Sequence, residues 1–239
     1  MRLTLDAVGI GDGPGAALPA TSAVATTETP GIAAVETEGA PTLASLIAGG
    51  RMTPETGRVL LDGRDDPARI RELFALVDTP TVAEPFPDLT VLTVVQEDLV
   101  LADQRGNREN ARLFLEAIGL PEHEDTRLNA LPTEARVRLL SELAVLRPGV
   151  QGLVITSPER HGGDTEAWFR VVQDLSARGF TVLVVTGVAA SLHLQRLLPA
   201  DAALPADAAP AADAPLPVDD GVDATPASPA VSPESPLEQ

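Results

Sequence analysis

The chain has 239 residues, with 17 basic and 35 acidic side chains for a net charge of −18, no cysteine, no tyrosine, one tryptophan and five phenylalanines. This length suits one medium domain with an appendage. The composition excludes disulfides, thiolate metal sites and cysteine nucleophiles, and the scattered His123, His161 and His193 do not make a zinc centre. Every basic residue is arginine, which removes lysine Schiff-base chemistry and the point-charge lysine on which most phosphate-binding loops depend.

The predicted elements alternate in type along the chain. Met1 to Ile10 and Gly31 to Val35 read as strands, Thr42 to Ala48 as a short helix, and Arg58 to Leu61 as a strand before the turn Asp62-Gly63. Pro67 opens a helix through Glu72, Phe74 to Val77 is a buried strand, and the proline-rich stretch from Thr79 to Asp88 is a loop. Helical periodicity follows at Val94 to Ala102, at Arg108 to Ile118, stopped by Gly119, and at Thr133 to Leu146, stopped by Pro148. Strand Gly152 to Thr156, helix Asp164 to Ala177, strand Thr181 to Thr186 and helix Val188 to Leu198 complete the order. Two continuous apolar strands around a helix form a βαβ unit, which requires a parallel sheet covered on both faces, so the fold class is α/β.

Composition changes after Leu198. The segment 199–239 holds nine prolines, eight acids and no arginine, and it cannot bury enough apolar surface to offset the entropy of ordering it, so a disordered acidic tail is expected. Residues 1–198 keep a charge of −10. An acidic surface repels phosphate backbones, which argues against nucleic acid or an anionic membrane as a direct partner. The apolar runs are strand-sized and the N-terminus has no signal-peptide pattern, so a cytoplasmic protein without membrane insertion is expected.

The pieces now match a known order. Gly57-Arg58-Val59-Leu60-Leu61-Asp62-Gly63 resembles the strand and turn after the first helix of ATP-binding cassette (ABC) ATPases. Pro87-Asp88-Leu89-Thr90 with Leu92 to Leu99 resembles that family's "fpdLTVxENL" stretch, and Leu115 to Leu120 its "L…GL" helix end. Arg136 to Ala144 is similar to "RVxLAxALA", Gly152 to Thr156 with Ser157-Pro158 to the Walker B strand, and Gly179 to Thr186 to "GxTVLvvTH". The resemblance covers about residues 31–198. It implies a P-loop NTPase fold with a mainly parallel sheet, a folded part over 1–198 and a helical subdomain at about 88–146.

The same resemblance implies a phosphate loop of pattern GxxGxGKST, whose backbone N–H groups, lysine and hydroxyl hold nucleotide and magnesium. The corresponding stretch here is Val35 to Leu43. Gly39, Ala40 and Thr42 are the candidate nucleotide-contacting residues, overlaid on the pattern with about two residues deleted, the lysine among them. Glu36 and Glu38 place carboxylates where a triphosphate would sit, and Pro41 removes an N–H donor. Thr156 and Ser157 stand at the Walker B Asp and Glu, Thr79 at the metal-coordinating glutamine and Gly187 at the closing histidine. Leu128 to Glu134 stands at the LSGGQ signature without a glycine. No tyrosine exists, and no aromatic residue precedes Phe74 to stack on adenine.

Each candidate has a simpler reading. Thr42 and Thr156 read as capping or packing rather than as magnesium ligands, His161 as a solvated loop residue rather than a proton carrier, and Glu36 and Glu38 as a solvated loop rather than a cation or partner site. Trp168-Phe169 is core or a partner contact. Expected, then, is a non-hydrolysing ABC-type cassette with no catalytic residue, no resident cofactor and no metal. It would act beside a protein partner such as an ABC ATPase or a permease. The alternative is an ATP-binding subunit that still takes ATP and magnesium through Gly39, Ala40 and Thr42 and completes a composite site with an intact ATPase.

Overall fold

The computed structural model describes residues 1–36 and 39–198; Glu38 and the segment 199–239 predicted as a tail lie outside the described residues. Two sheets organise the described part. An antiparallel sheet has the order β2-β1-β4, formed by β1 (Arg2–Ile10), β2 (Leu18–Thr26) and β4 (Thr56–Leu61). A parallel sheet has the order β3-β7-β6-β5, formed by β3 (Gly31–Ala34), β5 (Phe74–Val77), β6 (Gly152–Thr156) and β7 (Thr181–Thr186).

Alternation along the parallel strands sorts their side chains to two faces. Ile32, Ala75, Val77, Leu153, Ile155, Val182 and Val184 pack on α3 (Val91–Leu101), α4 (Arg108–Ala117), α5 (Thr133–Val145) and α6 (Thr165–Ala177). Ala33, Phe74, Leu76, Val154, Leu183 and Val185 face α1 (Ala40–Ala48), α2 (Pro67–Leu73) and the antiparallel sheet. The seventh helix, α7 (Val188–Gln195), follows β7 and buries Ser191 and Leu194. Covered faces on both sides are what the continuous apolar strands require. Among the described residues no helix is long and apolar enough to cross a membrane.

Several boundaries depart from the sequence expectation. Strand β2 is not predicted at all. Its buried positions are Leu18, Thr21, Ala23 and Ala25, residues too small to give a strong hydrophobic alternation, and its pairing with β1 supplies what local propensity lacks. Helix α1 starts at Ala40 instead of Thr42 because Pro41 suits the first turn of a helix. Helix α3 starts at Val91 instead of Val94, capped by Thr90 Oγ1, which accepts from Thr93 N. Helix α7 stops at Gln195 instead of Leu198.

The aromatic pair resolves to core. Trp168 and Phe169 are both fully buried and meet edge to face, with ring centroids 6.0 Å apart and planes at 88°. Trp168→Ala is expected to cost about 3–5 kcal/mol through lost burial and the cavity left behind. In a domain of this size that lowers Tm by roughly 10 °C, read from thermal melts followed by circular dichroism.

Candidate functional site

In an open parallel sheet the loops after the strands' carboxyl ends carry the chemistry. Here those ends are Val35 after β3, Asp78-Thr79 after β5, Thr156-Ser157 at the end of β6 and Thr186-Gly187 at the end of β7. The backbones interlock: Val35 N donates to Thr186 O at 2.9 Å and Ser157 N to Val185 O at 2.7 Å. Asp78 and Ser157 both adopt left-handed backbone angles, with φ of 53° and 43°, a conformation that non-glycine residues hold only where the surroundings impose it.

A row of hydroxyls fills the centre. Thr156 Oγ1 lies 2.8 Å from Ser45 Oγ, which α1 brings from below, and 2.8 Å from Thr79 Oγ1 on the other side. All three residues are fully buried. Thr156 therefore bonds to its neighbours in the core, the packing role expected of it, and its α1 partner is Ser45, which the sequence reading did not single out. Of the three residues proposed from the phosphate-loop pattern, Gly39 is exposed, Ala40 buried and Thr42 half-buried, all at the start of α1. Glu36 is exposed; Glu38 lies outside the described residues.

Next to the hydroxyls is an ionic hub that sequence reasoning missed. Asp78 is 5% exposed. Its carboxylate accepts from Arg136 Nε and a terminal nitrogen at 2.8 and 2.7 Å, and from His161 Nε2 at 2.8 Å, while Arg160 lies 3.1 Å away. Arg160 also donates to Glu84 at 3.0 Å and to the Thr156 carbonyl at 2.9 Å. Burial by itself would raise the Asp78 pKa. The bonds from Arg136 and His161 and the charges of Arg136 and Arg160 outweigh it and hold the carboxyl well below the ordinary range. His161 is thus half-buried on a carboxylate, not a solvated loop residue, because the turn after β6 folds it inward. Ligand atoms of Asp78, Glu84 and His161 lie within 4.8 Å of one another, the spacing of a metal centre. The two guanidiniums already take the places a cation would fill and neutralise both carboxylates.

The start of α5, where the signature stretch falls, is tied to the same region. Thr133 Oγ1 donates to the carbonyls of Gly162 and His161 at 2.8 and 3.2 Å. At the closing-histidine position, Gly187 N donates to Glu159 Oε1 at 2.8 Å. Glu159 Oε2 and Thr186 Oγ1 are buried without a hydrogen-bond partner among the described residues.

Among solved structures, the chain is similar to an ATP-binding subunit of an ABC transporter, at 19% identity and a TM-score of 0.51, covering 81% of this chain and 82% of that one. It is similar to a nucleotide-free ATP-binding cassette from an ABC transporter, at 16% identity and a TM-score of 0.56, with 81% and 85% covered. A dimeric ATP-binding cassette in a post-hydrolysis state with ADP and Pi gives 19%, a TM-score of 0.52, and 79% and 89%. No protein-family model and no curated protein matches the sequence. The fold is that of the ABC ATPases, an α/β P-loop NTPase fold, as the sequence resemblance implies.

Proposed function

We propose that this chain is a catalytically degenerate ATP-binding cassette, a non-hydrolysing binding or regulatory subunit that works through a protein partner of the ABC-transporter type, an ATPase or a permease, at the inner face of the membrane. The observation that carries this reading is the buried hydroxyl row Ser45–Thr156–Thr79. In the family pattern these β-strand ends hold the carboxylates and glutamine that bind magnesium and orient water. Here they carry neutral hydroxyls whose hydrogen bonds are directed at each other. Hydroxyls that satisfy one another within the core do not compensate the desolvation of a divalent cation or of a triphosphate. The residues present therefore do not fit a magnesium nucleotide.

A partner role is supported by a cavity of about 270 Å³ between β5, α3 and α5, lined by Leu76, Ala83, Pro85, Asp98, Leu140 and Arg147 among others. Phe86, 79% exposed, follows this lining in the loop after β5. An exposed aromatic beside a mixed apolar and charged cleft is the composition of a protein-binding surface.

The test is equilibrium binding of a fluorescent ATP analogue with and without magnesium, together with phosphate release. No magnesium-dependent binding at micromolar protein and no turnover above buffer are expected. Saturable magnesium-dependent binding by the chain alone overturns the reading. Binding that emerges only with an intact ATPase added would favour a composite site using Gly39, Ala40 and Thr42.

A further inference from the structure

A second feature lies at the opposite end of the parallel sheet, where the strands begin. After α1 the chain turns at Gly49-Gly50, and the left-handed Gly50, with φ of 68°, lets the backbone run against α2. A Cβ at Gly50 would lie 3.2 Å from Arg71 N, so the segment carrying Arg51 is held directly on the helix carrying Arg71. The loop after α5 reaches the same place: Gln151 N donates to Leu73 O at 2.9 Å and Val150 N to Arg147 O at 3.3 Å. Three segments distant in sequence thus deliver Arg51, Arg71 and Arg147 to the lower edge of β5.

Of the 17 arginines, nine lie within ion-pair distance of a carboxylate among the described residues, Arg112, Arg136 and Arg178 among them, and eight do not; what sets Arg51, Arg71 and Arg147 apart is that three of those eight are brought together. Among the described residues, none of Arg51, Arg71 and Arg147 has a carboxylate within ion-pair distance, although Arg147 also lines the cavity described above together with half-buried Asp98, which feels its charge. Arg51 donates only to backbone carbonyls, those of Gly49 at 2.6 Å and Phe74 at 3.1 Å. Burial and then the charges of Arg147 and Arg71 push its pKa down, as expected of guanidiniums that repel one another. Arg71 and Arg147 are exposed.

We propose that Arg51, Arg71 and Arg147 form a recognition surface for an acidic peptide segment of a protein partner, one whose closely spaced carboxylates engage two guanidiniums at once. Guanidinium forks match carboxylates in pairs of parallel bonds, and the unpaired cations carry a repulsion that an acidic segment relieves. Residues 1–198 carry a net charge of −10 with these three arginines included, so the surface around them selects against extended polyanions. A nucleic acid or a charged membrane would lay further negative charge on that acidic surface. A short peptide lays far less charge on that acidic surface than a polymer or a bilayer, and charge beyond about one Debye length, roughly 8 Å, is largely screened.

The experiment uses the full chain with a fluorescently labelled octaglutamate peptide, octaglutamine as control, and anisotropy read at low and at physiological salt. Saturable binding of octaglutamate alone is expected, weakened about tenfold on raising salt. The double variant Arg71→Ala/Arg147→Ala, both exposed positions, is expected to lose at least about tenfold in affinity while Tm stays within about 1 °C. Arg51 is left intact because it holds two backbone carbonyls. Equal binding by the double variant, or no binding by the parent chain, overturns the proposal. So does arginine-dependent binding of inorganic phosphate or of phosphatidylserine vesicles where octaglutamate does not bind.

Discussion

Asp78→Asn is expected to destabilise the folded chain by about 3–5 kcal/mol, the cost of leaving a buried guanidinium without its counter-charge. Arg136 is 3% exposed and its fork is aimed at Asp78, whose loss would leave it only the longer ion pair to Glu84 at 3.8 Å, without a hydrogen bond. Asparagine keeps the side-chain shape and tolerates the positive φ at this position, so the loss reports charge rather than strain. The measurement is the urea midpoint followed by the fluorescence of Trp168, the sole tryptophan and fully buried. Adding Arg136→Met should return a large part of the loss, since a buried pair replaced by apolar groups is far less costly than a broken one. A loss below about 1 kcal/mol would show that the hub does not hold the fold.

The pH dependence has a definite sign. Asp78 has a native pKa depressed below its unfolded value. Its contribution is therefore complete above the ordinary carboxylate range, above about pH 4, and is lost as pH falls through that range toward the native pKa. The parent chain should lose stability in acid more steeply than Asp78→Asn, and parallel slopes for the two would contradict the assignment.

Thr156→Asp is expected to lower stability by about 3 kcal/mol at neutral pH without creating a magnesium site. The position is fully buried between Ser45 and Thr79. Their hydroxyls can both donate to an introduced carboxylate, but two neutral donors compensate only part of the desolvation of a charge. Burial raises the pKa of such a carboxyl, so the penalty is largest at high pH and eases as pH falls through the raised native value. Melts in millimolar magnesium should superpose on melts in chelator. A magnesium-dependent rise in Tm of the variant would show that one introduced carboxylate is enough to restore a cation site, against the expectation that the surrounding hydroxyls bar it.

Much of the fold was legible because parallel strands buried on both faces must be continuously apolar, and β5, β6 and β7 are. Strand β2 was hidden by alanines and threonines, whose burial depends on a pairing partner in β1 rather than on their own hydrophobicity. At the site, Thr79, Thr156, Ser157 and Gly187 could be placed by resemblance. Their bonding could not, since Thr156 meets Ser45 across 111 positions and Thr79 across 77. The ionic hub left a faint trace: an aspartate directly after an all-apolar strand, and Arg136 inside a helix otherwise buried through Ala135, Val137, Leu139 and Leu140. A charged residue among core positions needs a buried partner, but periodicity does not say which one.

The hydroxyl row has an odd inventory of protons. Ser45, Thr156 and Thr79 bring three hydroxyl hydrogens to two mutual hydrogen bonds. One hydrogen must therefore point outside the row, and which one it is depends on the direction in which the row donates. Reversing that direction needs only rotations about C–O bonds, with every heavy atom left in place. The row is thus a neutral dipole of reversible sense, buried at the carboxyl ends of the parallel strands.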